Sequence, residues 1–190
     1  MKIKTDLNQH FLINEEIARK MIAAADIGKT DTVLEIGPGT GKITALLSQA
    51  AKKVIAVEID TRFKSDLESM PENVSVVFQD VLTYFKKKPS DFNKIVSNLP
   101  FNLCEPLMQY LVQAEHVHLS VLITSVTFAK KAKVNPIFSS FLKIEELERV
   151  PGKSFTPIPS VDTEIIRITS PINSVVISIR TSLPLFGAYF

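Results

Sequence analysis

Asn98-Leu99-Pro100-Phe101 sets a side-chain amide, a proline and an aromatic ring in consecutive positions, directly after the apolar run Lys94-Ile95-Val96-Ser97. The combination suits chemistry at an amine conjugated to a flat ring. Such a nitrogen is a poor nucleophile because its lone pair is delocalised, and two acceptors that take its hydrogens favour the pyramidal geometry of attack. The Asn98 side-chain oxygen and a backbone carbonyl near Leu99 are the candidate acceptors. Pro100 fixes the turn and brings no competing N–H. Phe101 offers a face on which a base lifted out of its stack can lie, worth about 1–3 kcal/mol per stacked base. The plainer alternative is a strand-to-helix turn, with Asn98 as a cap and Phe101 in the core.

A second constellation supplies a group that such an amine could attack. Glu35-Ile36-Gly37-Pro38-Gly39-Thr40-Gly41 follows the β-branched apolar run 32–36 and precedes residues 42–47, whose apolar positions 43, 46 and 47 suit a helix. Strand, tight glycine turn and helix form the entry to an open α/β sheet, where glycines let backbone approach a ligand. Residues 54–57 then run into Glu58, about 20 residues on, where a carboxylate accepts from ribose hydroxyls. A further strand candidate, 74–78, ends in Gln79-Asp80, and an Asp beyond a strand's carboxyl end can accept from an adenine amino group or cap the segment 81–85. The site therefore asks for an adenosine. The spacing is G-x-G-x-G rather than G-x-G-x-x-G, and Glu35 stands two residues before the first glycine, which suits the cationic amino-acid end of S-adenosylmethionine better than a pyrophosphate.

These residues, in this order, resemble the ribosomal RNA adenine dimethyltransferases, which include the small-subunit dimethyladenosine transferases and the erythromycin-resistance methylases. The resemblance is carried by Gln9-His10-Phe11-Leu12, residues 35–41, Val57-Glu58-Ile59-Asp60, Gln79-Asp80, residues 98–101 and the segment 154–162, and spans roughly residues 5 to 168. It implies that Gln9, His10 and Leu12 belong to an N-terminal segment closing over the cofactor. Gly37 and Gly39 match the glycine turn, Glu58 the ribose acceptor and Asp80 the adenine contact. Asn98 and Phe101 match the grip on the target base, with Phe155 as an aromatic that sandwiches the base from the other side. His10 could instead be an N-terminal surface residue, and Phe155, in a proline-rich loop, a ring packed on the sheet. The expected partner is ribosomal RNA or a small-subunit precursor. Two other readings use the same residues: a cofactor-binding ribosome-assembly or nucleic-acid-binding factor, and a methyltransferase for DNA, protein or a small molecule.

The elements that must position these groups can be read from hydrophobic patterning. Seven strand candidates, at 32–36, 54–57, 74–78, 94–97, 119–124, 144–150 and 163–168, alternate with helical stretches in the first two thirds of the chain and end in an antiparallel pair. The expected fold is α/β, a Rossmann-like seven-stranded S-adenosylmethionine-dependent methyltransferase sheet with flanking helices. Residues 14–25 carry Ile17, Met21 and Ile22 on one face behind Asn14 as a cap, and 102–115 are a further helix candidate. After the fifth strand the family usually carries a longer helical stretch with a glycine-rich turn, shortened here to residues 125–142 with Lys130, Lys131 and Lys133. The expected organisation is a catalytic domain over 1–170 and a C-terminal strand with an apolar tail over 171–190, in place of the family's small helical domain. Residues 175–180 suit an edge strand, and the tail 183–190 offers a surface for self-association.

Composition agrees with one α/β domain: 190 residues, 45% hydrophobic and 22% charged, enough for one core. The formal charge of +2 is too mild to identify a nucleic-acid binder, though Lys86-Lys87-Lys88 and the lysines at 130–133 form local basic runs that could meet phosphates or remain solvated. Cys104 stands alone and reads as a buried thiol, while His116 and His118 lack companions at ligand spacing, so no metal is expected. No charged-then-apolar leader and no apolar run of about 18 residues is present, which makes a membrane unlikely as a partner and the cytoplasm the expected compartment.

Overall fold

The structure, a computed structural model, describes residues 9–87 and 89–170. Seven strands form one sheet in the order β4 (Val74–Phe78), β3 (Lys53–Glu58), β2 (Thr32–Ile36), β5 (Lys94–Asn98), β6 (Leu119–Ser125), β9 (Thr163–Thr169) and β7 (Lys143–Val150). The first five are parallel, and β9 runs antiparallel to both of its neighbours. From the centre, β2, β3 and β4 step outward one way while β5 and β6 step the other. The switch point therefore lies between β2 and β5, where open α/β sheets hold their ligands beyond the carboxyl ends.

Period-two alternation sorts the strand residues onto two faces. Leu34, Ile36, Ile55, Val57, Ile95, Leu122 and Ile166 join one core with α4 (Val81–Lys86), α5 (Cys104–Gln113), α6 (Val126–Val134) and α7 (Pro136–Phe141). Val33, Val54, Val96, Val121, Ile123 and Ile165 point the other way, onto α1 (Glu15–Ala24) and α2 (Lys42–Ala50). Each fully buried aliphatic side chain contributes about 1.5–3 kcal/mol, so register is strongly specified. One short helix, α3 (Lys64–Glu68), follows β3.

Helix ends follow the local chemistry. Asn14 caps α1 by accepting from Glu16 N at 3.0 Å and Ile17 N at 3.4 Å. Asn135 ends α6 and caps α7, with Pro136 at the first position of the new helix. The shortened stretch 125–142 is thus two helices, because Pro136 cannot continue the first.

A two-residue strand pair is absent from the sequence reading. β1 (Phe11–Leu12) runs antiparallel to β8 (Phe155–Thr156), pairing Phe11 with Thr156 and Leu12 with Phe155. The ribbon is extended by Ile13 N donating to Ser154 O at 2.8 Å. Strands this short have no alternation to detect. Among the described residues no helix is long and apolar enough to cross a membrane. Residue 88, the edge strand expected at 175–180 and the tail 183–190 lie outside the described residues.

Candidate active site

The carboxyl ends of β2, β3, β4 and β5 open into one cleft of ≈ 980 Å³ including its open mouth. Its base is the glycine turn after β2. Gly37, Gly39 and Gly41 take φ of +66°, +55° and +77°, a region that costs a side chain about 1–2 kcal/mol. The G-x-G-x-G spacing is thus an alternation of left-handed positions. Gly37 N donates to Val57 O at 2.9 Å, tying the turn to β3.

Glu58 ends β3 and is only 2% exposed. Its Oε2 accepts from Gly39 N at 2.9 Å and its Oε1 from Asp60 N at 2.8 Å, so the carboxylate shapes the glycine turn from beneath. Burial pushes its pKa up, and these backbone donors oppose the shift. Each oxygen retains a further lone pair on the side of a residue that lines the cleft. Asp80 also lines the cleft and at the same time caps α4, accepting from Thr83 N at 2.8 Å through Oδ1. The two uses anticipated for it are compatible because a carboxylate has two oxygens.

Beyond β5, Asn98, Leu99, Pro100 and Phe101 all line the cleft, and residues 101–103 form a 3₁₀ turn leading into α5. Asn98 Nδ2 donates to the main-chain oxygen of His10 at 2.6 Å. His10 in turn donates from Nδ1 to Pro157 O at 3.0 Å, and its ring lies 6.0 Å from that of Phe101. Gln9 and Gln79 line the same space, and Gln9 Oε1 and Gln79 Nε2 are buried without a hydrogen-bond partner. Both atoms are thereby available to a water molecule or a polar ligand in the cleft. Phe155 is in the cleft wall but only 3% exposed, with most of its ring in the α1–α2 core.

Two expected residues are placed elsewhere. Leu12 does not line the cleft: consecutive residues of an extended strand point to opposite sides, so Leu12 enters the α1–α2 core and Phe11 takes the cleft side. A Cβ on Gly39 would stand 2.9 Å from the Phe11 ring, which shows how closely strand β1 rests on the turn. Glu35 likewise faces away, since Ile36 takes the cleft side of β2. Glu35 is 1% exposed, and burial, reinforced by the nearby Glu58, raises its pKa to about 8 despite an opposing contribution from Thr44. Neither Glu35 Oε2 nor the Thr44 hydroxyl reaches hydrogen-bond geometry. The direct ligand contact expected of Glu35 is therefore replaced by a buried acid beneath the turn. Phe11, Ile59, Leu103 and Thr163 line the cleft without having been singled out from the sequence.

The charge of the cleft is one-sided. Among the described residues Glu58 and Asp80 are its acidic residues, and no Lys or Arg lines it. Such a site favours a ligand carrying positive charge and hydroxyl donors, and offers nothing to a pyrophosphate beyond backbone N–H groups. Among the described residues no group of three or more His, Cys, Asp or Glu is arranged to hold a metal ion.

Comparison with known proteins agrees with this arrangement. The family described as "Ribosomal RNA adenine dimethylase" matches residues 1–178. A probable ribosomal RNA small subunit methyltransferase A from Methanopyrus kandleri is 34% identical over 177 residues, covering 86% of this chain and 62% of that protein. A dimethyladenosine transferase from Yarrowia lipolytica is 32% identical, with coverages of 88% and 57%. Among solved structures, a dimethyladenosine transferase from Plasmodium falciparum superposes with a TM-score of 0.77 at 30% identity, covering 89% of this chain and 66% of that one. The 23S rRNA methyltransferase ErmE shares the fold at a TM-score of 0.72 and 22% identity, covering 90% of this chain and 76% of that one. The chain spans about half to two thirds of the length of the curated relatives it matches. With a match over residues 1–178 and its motifs gathered at one switch point, the chain belongs to the ribosomal RNA adenine dimethylase family.

Proposed function

We propose that this chain binds S-adenosylmethionine in the cleft and directs its methyl group to the exocyclic amine of adenine in ribosomal RNA, twice at the same nitrogen. The observation that carries the cofactor assignment is a cleft with two carboxylates, no Lys or Arg among the described residues that line it, and a left-handed glycine turn at its base. When bound, the cofactor supplies a methyl group already activated on a sulfonium. The work of the protein is then placement and electrostatics.

In this reading Glu58 accepts from the ribose hydroxyls and Asp80 from the adenine amino group through the oxygen that α4 leaves available. Gly37 and Gly39 let the backbone close on the ligand, and Gln9 and His10 cover it from strand β1. Asn98 Oδ1 takes one hydrogen of the target amine and a backbone carbonyl near Leu99 takes the other. Pro100 holds that turn, Phe101 supports the base, and Phe155 closes the wall behind it.

Ribosomal RNA or a small-subunit precursor is the proposed partner. Lys87, which reaches Gln79 Oε1 at 3.1 Å beside the cleft, and the exposed Lys130 and Lys131 on α6 are candidate phosphate contacts. The proposed compartment is the cytoplasm, although the Arabidopsis thaliana relative is named as mitochondrial. Calorimetry tests the cofactor assignment: S-adenosylmethionine or S-adenosylhomocysteine is expected to bind and a nicotinamide dinucleotide is not. Preference for the dinucleotide would overturn it.

A further inference from the structure

The Asn98 side chain is tied to His10, the residue that leads into strand β1. A primary amide has a donor end and an acceptor end of nearly the same shape, and only its partners decide which faces a ligand. At Asn98 the deciding partner is a carbonyl oxygen, that of His10, 2.6 Å from Nδ2. Rotating the amide by half a turn would bring two acceptors together at that distance with no hydrogen between them. The cleft accordingly receives Oδ1. The carbonyl is itself held in place: His10 Nδ1 donates to Pro157 O, Phe11 and Leu12 pair with Thr156 and Phe155, and Ile13 N donates to Ser154 O. Phe11 rests on Gly39, so the same strand reaches from the glycine turn to the amide.

We propose that the main-chain carbonyl of His10 is the positioning group for Asn98, fixing the amide so that its acceptor oxygen faces the cleft. The inference rests on the methyl-transfer reading for its purpose, but its geometry can be tested without turnover. Strand β1 then does more than cover a ligand. An open strand would release the amide, leaving the acceptor unoriented until the ribbon 11–12 and 155–156 forms.

Asn98→Asp separates the two ends of the amide. The carboxyl keeps an acceptor, but it can face the His10 carbonyl only while protonated. Facing a carbonyl in a partly buried cleft raises its pKa above the ordinary carboxylate range of about 4. The other titratable groups lining the cleft are His10, Glu58 and Asp80, and the native chain carries all three, so each reading is taken as a ratio of variant to native at the same pH. Hydrogen exchange of the backbone amides at residues 10–13 is expected to be native-like near pH 5 and at least about tenfold faster than native near pH 8, as the ionised carboxylate opens the strand. Methyl transfer relative to native is expected to fall by about tenfold or more across the same range.

A ratio that stays constant with pH in both measurements would overturn the proposal, because it would show that an acceptor functions there without an anchored donor. Asn98→Ala serves as the second variant, removing both ends. Faster strand exchange at both pH values supports the anchor, and unchanged exchange overturns it. The exchange measurement needs no RNA, so a native chain that transferred no methyl group would count against the proposed function and leave the anchor standing.

Discussion

Gly39→Ala perturbs the glycine turn and strand β1 together. The left-handed φ of +55° costs an alanine about 1–2 kcal/mol by itself. Its Cβ would also stand 2.9 Å from Phe11 Cε1 and 3.0 Å from Cδ1. The Phe11 ring packs edge-on against buried Phe63 at 5.5 Å, which hinders its retreat on that side. Overpacking of this kind typically costs about 1–3 kcal/mol, which brings the total to roughly 2–5 kcal/mol if the strand holds. In a chain of this length each kcal/mol moves the melting temperature by about 2–4 °C, so a fall of roughly 4–20 °C is expected. If β1 lifts away instead, the melting loss shrinks towards the strain alone and the overlap appears as faster hydrogen exchange at residues 10–13. Two glycines provide controls. Gly37→Ala meets the same strain at φ +66° but only ordinary contact, 3.8 Å to the Pro100 ring, and should lose about 1–2 kcal/mol. Gly28→Ala has no left-handed φ and its nearest neighbour is Asp31 Oδ2 at 3.7 Å, so it should be neutral or gain about 0.4–1 kcal/mol. Thermal melts and exchange of the three variants decide the matter. Gly39→Ala indistinguishable from Gly37→Ala in both measurements would refute the docking of Phe11 on the turn.

Three further outcomes follow from the site. Glu35 is neutral in the folded protein up to about pH 8 but ionised above about 4.5 when unfolded, so native stability falls across that window by up to about 1.4 kcal/mol per pH unit. Glu35→Gln removes this loss and should melt above native at pH 8, with the gap closing near pH 5; an equal gap at both would contradict the buried acid. Asn98→Ala should raise the barrier to methyl transfer by about 2.7–4 kcal/mol, read as kcat, while cofactor affinity falls far less. Equal losses in both would favour a purely structural turn. The Cys104 thiol is 2% exposed and pushed up to about 12 by burial, so its alkylation should proceed at the rate of unfolding; rapid modification of the native protein would contradict that burial.

Strand β3 spans the apolar run 54–57 and buries all of it, because a parallel strand inside the sheet is covered on two faces and reads as a continuous hydrophobic segment. Asn14 was legible as a cap because the apolar period of α1 begins directly behind it. Glu58, Asp80 and Asn98, which line the cleft, were legible as polar residues at or just beyond strand ends. Legibility failed where side-chain direction was needed. Glu35 and Leu12 each sit one residue from a cleft-lining position, and strand parity sends both to the other face. Nor does sequence reveal that residues 11–12 pair with 155–156, since a contact across more than 140 positions between two-residue strands leaves no local pattern. That pairing brings His10 to Asn98.

The central claim is methyl transfer to an adenine amine, and one measurement addresses it most directly. The native chain is incubated with methyl-labelled S-adenosylmethionine and small-subunit ribosomal RNA or its precursor particle, and the RNA is digested to nucleosides for mass spectrometry. The account predicts label on the exocyclic nitrogen of adenosine, with the doubly methylated nucleoside accumulating, and its loss in Asn98→Ala. Label on another base or another atom, or cofactor binding with no label in RNA, would contradict it.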